Sequence, residues 1–220
     1  LGDLKRSEFH IFRNVQNVKA TAVSSTELSR ILKHIRAEIT RRGDLLDEFE
    51  VAHVDDLKMK IPYIVLAIDE VALLKGDKEN MTILEEISAV GRALGVFLIM
   101  SMQRPDAKIL DGKLKVNLTV RMAFRSADGI NSRIIIDKQG AEKLEGNGRM
   151  LLKIQSEKEL KEMQAPYLTI ESAKKILERY KSFVSENPSK GENKPHKVMS
   201  NFVVKDLVEV DENVFGVLEE

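Results

Sequence analysis

Tyr63-Ile64-Val65-Leu66-Ala67-Ile68 is an unbroken apolar run that ends abruptly in two carboxylates, Asp69 and Glu70. A run of this length, partly β-branched and opened by Pro62 where a missing N–H is tolerated, reads as a strand buried on both faces, as in a parallel sheet. Phe97-Leu98-Ile99-Met100-Ser101-Met102 repeats the design about thirty residues on and ends in Gln103-Arg104-Pro105, with a helix-length segment between the two runs. Open α/β sheets bind ligands at the carboxyl ends of their strands. Both runs therefore deliver polar groups to the edge where chemistry is done.

A buried strand ending in Asp-Glu is the Walker B arrangement of a nucleotide-hydrolysing motor. In that arrangement Asp69 would hold Mg²⁺, directly or through water, and Glu70 would orient and activate the attacking water. Gln103 is a neutral group able to sense a γ-phosphate. The bland alternatives are polar strand ends facing solvent for Asp69 and Glu70, and pairing with nearby backbone for Gln103.

Composition narrows the remaining choices. The chain of 220 residues can hold one α/β domain and a tail. Its formal net charge is zero, so any nucleic-acid contact must come from a local basic patch. The absence of cysteine excludes disulfides, thiol nucleophiles and the usual structural zinc sites. No apolar run approaches the roughly 18–20 residues that span a membrane, and no signal peptide is visible. His10, His34, His53 and His196 lie apart without ligand spacing, which argues against a metal site built on histidine.

Along the chain, residues 1–23 read as extended structure with turns. Ser24 with Glu27 forms a capping box, followed by Leu28, Ile31, Leu32, Ile35 and Ile39 at helical spacing. This helix ends near Gly43 or resumes through Leu46 and Phe49. Residues 79–94 read as a second amphipathic helix, with Ile83, Leu84, Ile87, Val90 and Leu94 on its apolar side and Gly95 as its C′ residue. A lysine-rich loop spans Asp106 to Asn117. After it come a strand at 118–124, short helices at 128–137 and 140–144, a Gly146-Asn147-Gly148 turn, and a last strand at 149–154. A third long helix is expected over 170–184. Residues 186–197 carry Pro188, Gly191 and Pro195 among charges and read as a linker, followed by an acidic stretch with scattered valines. The expected division is a domain at 1–185 and a flexible linker and tail at 186–220.

Residues 62–153 resemble the C-terminal half of the RecA-like motor domain of FtsK/SpoIIIE-type DNA translocases. The resemblance is carried by Ile68-Asp69-Glu70, Gly91-Arg92-Ala93-Leu94-Gly95, Gln103-Arg104-Pro105, Asn131-Ser132-Arg133, Gly140-Ala141-Glu142 and Gly146-Asn147-Gly148-Arg149-Met150-Leu151. Asp3-Leu4-Lys5 is similar to the Asp-Pro-Lys segment that follows the second strand of these proteins, with Leu in place of Pro. Residues 101–115 look most like the branch carried by Gram-positive conjugative elements, whose motors feed DNA to a transfer channel. The fold implied is a RecA-like P-loop NTPase, α/β, with a mostly parallel sheet flanked by helices. Gly-x-x-x-x-Gly-Lys-[Ser/Thr] occurs nowhere in the 220 residues. Family order puts it before Asp3, so the chain is expected to lack the first strand and P-loop and to hydrolyse ATP negligibly alone.

The resemblance implies ATP and Mg²⁺ as cofactors and double-stranded DNA as partner. It also implies a ring, hexameric in the parent, and contact with membrane-channel or relaxosome proteins. The motor would be cytoplasmic, with the parent anchored at the membrane. Arg92 matches the position of an arginine finger acting in trans; its plain alternative is a solvated cation at a helix end. Arg133 is a second candidate finger, with an intramolecular salt bridge as its alternative. Arg104 braces its loop in the simplest reading. Lys108, Lys113 and Lys115 sit where such motors place DNA-tracking pore loops, or form an ordinary solvated lysine loop. Protein secretion by EssC-like relatives and a non-catalytic ring module remain as other functions.

Overall fold

The structure, a computed structural model, describes residues 1–181. Strands β1 (Gly2–Asp3), β2 (Ile64–Asp69) and β3 (Val96–Met100) pair in parallel in that order. Strands β4 (Val120–Phe124), β5 (Arg149–Ile154) and β6 (Lys161–Gln164) form a separate antiparallel sheet. Helices α1 (Ser25–Glu48) and α2 (Lys78–Val90) pack on the parallel sheet, and α4 (Gly129–Ile136) packs on the antiparallel one. The short α3 (Gly112–Asn117) and the exposed α5 (Ile170–Glu178) complete the described helices.

The α/β class follows from the two apolar runs, but their burial does not match the expectation. Leu66 and Ile68 of β2 are buried against α1 and α2, whereas Val65 is 55% and Ile99 57% exposed. Side chains alternate across a strand, so the exposed residues share one face. Among the described residues nothing covers that face, and the strands are buried on one side instead of two. An apolar run records that both faces are non-polar; it does not record what lies against each.

α1 begins at the expected cap, with the Glu27 carboxylate reaching one residue further back than a strict capping box. Ser24 Oγ accepts the Glu27 N–H at 3.3 Å, and the Glu27 carboxylate accepts the Val23 N–H at 2.8 Å. The helix then runs through Gly43, where glycine costs about 1 kcal/mol relative to alanine. Leu46 beyond it packs with Val54 and Leu94, which offsets that cost. α2 stops at Val90, earlier than expected. Gly91 is required there because a Cβ would lie 2.5 Å from both the Ile87 and Val96 carbonyl oxygens. Gly95, four residues later, has φ +66° and makes the left-handed turn into β3. Val90 is 46% exposed and so lies off the apolar face.

Three further differences concern loops and edges. The lysine-rich segment is not all loop, since Gly112–Asn117 is helical with Asp111 capping Leu114 N–H. β6 has no sequence signature: Lys161-Glu162-Met163-Gln164 is exposed throughout, as suits a charged edge strand. α5 ends at Glu178, short of the expected 184. The boundary at 185/186 and the 186–220 tail lie outside the described residues.

Arg42 locks these parts together. Its side chain is fully buried, and it donates to Glu38 at 2.7 Å, to the Leu94 carbonyl at 2.8 Å and to the Pro62 carbonyl at 2.8 Å. One guanidinium thus joins α1 to the segments that lead into β2 and β3. Arg42→Met should destabilise the chain by about 2–4 kcal/mol, because it leaves two carbonyls without their donor and takes from Glu38 one of its two arginine partners, Arg41 remaining. Urea unfolding of the 220-residue chain measures this, with Arg42→Lys expected to fall between the two.

Candidate nucleotide and nucleic-acid site

Parallel pairing brings the strand ends together. Asp3 of β1 stands opposite Asp69 of β2, and Ile68 stands opposite Met100 of β3. Asp3 is buried and serves the backbone: its carboxylate accepts N–H bonds from Ser7 and Phe9, each at 3.0 Å. It thereby shapes the loop that carries Lys5. Asp69 accepts a hydrogen bond from Ser101 Oγ at 2.6 Å on Oδ1.

Glu70 lies past the end of β2 in a left-handed conformation (φ 53°, ψ 57°), uncommon for a residue with a Cβ. This turn swings its side chain inward, where it is only 5% exposed. Lys5 Nζ pairs with Glu70 Oε2 at 2.6 Å, and the Gln103 backbone N–H lies 3.3–3.4 Å from the two carboxylate oxygens. The Gln103 side chain is exposed. Asp69, Glu70 and Gln103 are therefore brought together as the strand ends implied. Lys5 and Ser101 join them with roles that the sequence reading did not assign. Their signal was available: in a parallel sheet, polar residues just past each strand must meet at one edge.

The arginines are elsewhere. Arg92 precedes β3 at its amino end, a five-residue strand or roughly 15 Å from the carboxylates. Arg133 lies on α4, and both are exposed. Among the described residues neither forms an ion pair, so the salt-bridge alternative for Arg133 is not what the structure contains. Ser132 beside it is buried, donating to the Lys138 carbonyl at 2.7 Å and accepting the Ala141 N–H at 3.1 Å. It staples the turn after α4.

The lysines divide. Lys108 and Lys113 are exposed. The Lys108 loop is held by Asp106, which accepts the Lys108 N–H at 2.8 Å and pairs with Lys75 at 2.6 Å. Lys115 is committed to protein: it pairs with Asp137 at 2.6 Å and donates to the Arg133 carbonyl at 3.1 Å. Arg121 and Lys153 pair with the same carboxylate. A Lys115 held this way is poorly placed to track DNA. A groove of about 360 Å³ lies beside Lys75, Lys78, Lys108 and Ile109, and it includes none of Asp69, Glu70 and Gln103. The carboxylate edge lies outside that groove, as a shelf at the carboxyl ends of β2 and β3.

The donor set at that shelf suits a hard cation. Mg²⁺ takes oxygen ligands and binds through one or two carboxylates, completing its shell with water and phosphate. Asp69 keeps Oδ2 without a protein partner among the described residues. No group of three or more acidic, histidine or cysteine side chains that could cage a metal occurs among the described residues. No helix among them is long and apolar enough to cross a membrane.

No protein-family model matches the chain. It is 30% identical over 191 residues to the DNA translocase FtsK of Helicobacter pylori (strain J99), covering 82% of this chain and 23% of that protein. The chain thus spans less than a quarter of that relative's length. Among solved structures it is similar to the pCW3 conjugation coupling protein TcpA in its monomer form with ATPγS. The TM-score is 0.65 at 24% identity, over 81% of this chain and 55% of that one. It is also similar to the cytoplasmic domain of the Thermomonospora curvata type VII secretion ATPase EccC, with a TM-score of 0.63 at 23% identity over 72% of this chain and 20% of that one. At these identities the structural likenesses establish the fold alone.

Partial burial works against ionising Asp137, but hydrogen bonds from Lys115, Lys153 and Arg121 outweigh it and hold the carboxyl far below the usual carboxylate range. A depressed folded-state value means the stabilisation is complete above the unfolded pKa of about 4 and is lost as pH falls below it. Asp137→Asn should cost about 1 kcal/mol at neutral pH, a modest figure because this side chain is 43% exposed and solvent-screened. The difference from the unmutated chain should shrink in thermal melts recorded progressively below about pH 4.

Proposed function

The chain belongs to the FtsK/SpoIIIE-type motors, and we propose that it forms the downstream half of an ATP-driven motor that moves double-stranded DNA through a ring. The observation that carries this reading is the convergence of Asp69, Glu70 and Gln103 at the carboxyl edge of a parallel sheet, with Arg92 at the opposite edge. Asp69 would hold Mg²⁺ through its uncommitted oxygen, and the bound ion would offset charge on the phosphate oxygens. Glu70 would orient water, and the Gln103 amide would read the γ-phosphate. Arg92 is too far away to serve its own chain's shelf. A finger at that edge can act only on a neighbour's nucleotide, which ties hydrolysis to ring assembly.

Lys108 and Lys113 supply the exposed cations for phosphate-backbone contact, which positions DNA without reading its sequence. Lys115 contributes indirectly by holding the segment in place. The TcpA likeness agrees with conjugative transfer as the setting, and chromosome segregation is the other DNA task. The EccC likeness supports a second reading in which the cargo is a polypeptide; turnover indifferent to duplex DNA would favour it.

With no phosphate-cradling loop in its sequence, the 220-residue chain should show no ATP turnover above background. The full-length motor should show turnover that duplex DNA stimulates. Glu70→Gln in that motor should lower turnover at least about a hundredfold, whereas a non-catalytic ring module would be indifferent to it. Mixing in Arg92→Ala subunits should depress turnover more than in proportion to their fraction. A strictly proportional loss would remove the trans role.

A further inference from the structure

Resting on the assignment of Glu70 as the water-activating carboxylate, we propose that Lys5 is a latch. Its ammonium holds Glu70 folded back against the Gln103 amide, and turnover requires Lys5 to let go. A general base must present a free oxygen within about 2.6–3.2 Å of the water it activates. Here Glu70 is 5% exposed, Oε2 is taken by Lys5 at 2.6 Å, and both oxygens face the Gln103 N–H. That is a posture for storing the carboxylate rather than for using it.

The backbone points the same way. Glu70 sits at φ 53° and ψ 57°, a conformation that a side chain with a Cβ keeps only when its surroundings hold it. Lys5 is the single charged partner the described structure gives Glu70, from a position 65 residues earlier in the chain. The Lys5 side chain is 31% exposed, against 7% for Glu70, so it reaches solvent from its side of the pair. A lysine ammonium is a compact point charge on a flexible stem and can turn to a competing anion such as a phosphate group. Its loop is held in place, because the buried Asp3 carboxylate accepts the Ser7 and Phe9 amides just beyond it, so release needs only the Lys5 side chain to turn.

A structural salt bridge and a latch make opposite forecasts. In the full-length motor, Lys5→Met should raise DNA-free turnover at least about threefold and so shrink the stimulation by DNA. Lys5→Arg, which can still pair, should restore the low DNA-free rate. Lys5→Gln provides the same reading if the methionine variant folds poorly. In the 220-residue chain, Lys5→Met should speed hydrogen exchange at the Gln103 amide while α1 amides keep their protection. DNA-free turnover that stays level or falls in both Lys5→Met and Lys5→Gln overturns the latch, as does an unmoved Gln103 amide. Loss of turnover in Glu70→Gln beside an unmoved Lys5→Met removes the latch alone. No turnover in the unmutated motor removes the assignment of Glu70 and the latch with it.

Discussion

Everything at the candidate site depends on parallel pairing in register. β2 lies between β1 and β3, so three segments far apart in sequence end at one edge, with Asp3 opposite Asp69 and Ile68 opposite Met100. A slip of one residue would turn every side chain of β2 to the other face. Leu66 and Ile68 would leave the core, and Asp69 would leave Ser101. Arg42 guards this register from the other end of the sheet, because the carbonyls it binds belong to the approaches to β2 and β3. A guanidinium with no exposed surface therefore supports a carboxylate edge a full strand length away.

The edge contains two carboxylates with different environments. Asp69 is partly exposed and hydrogen-bonded to one hydroxyl, an arrangement open to a cation. Glu70 is turned inward and ion-paired. Adjacent residues at the end of β2 are given these separate roles by a single left-handed residue, since continued extended backbone would have sent the Glu70 side chain elsewhere. The open apolar face of the parallel sheet belongs to the same picture. Tyr63, Val65, Phe97 and Ile99, exposed among the described residues, form an apolar patch of the kind that marks an interaction surface.

Legibility in the sequence followed the range of the interactions. Local signals were readable: Ser24 with Glu27 starts α1, Arg149–Ile154 is a strand, and Asp69, Glu70 and Gln103 meet because strand ends meet. Long-range pairing was not. Strand ends place Lys5 at the same edge as Glu70 but do not mark the two as a pair, and Lys115 looks free until the turn after α4 delivers Asp137. An exposed lysine and a committed one read alike in sequence. Burial on both faces was overestimated for β2 and β3 because hydrophobicity reports suitability for burial and leaves the covering partner unspecified.

A motor acting on DNA must couple ATP consumption to movement along the duplex. The most direct measurement is displacement of a third strand from a duplex by the full-length motor, followed in real time with ATP. A translocating motor strips the third strand only while ATP is consumed, and the Glu70→Gln motor leaves it in place. Vigorous ATP consumption with the triplex intact would contradict DNA as the cargo.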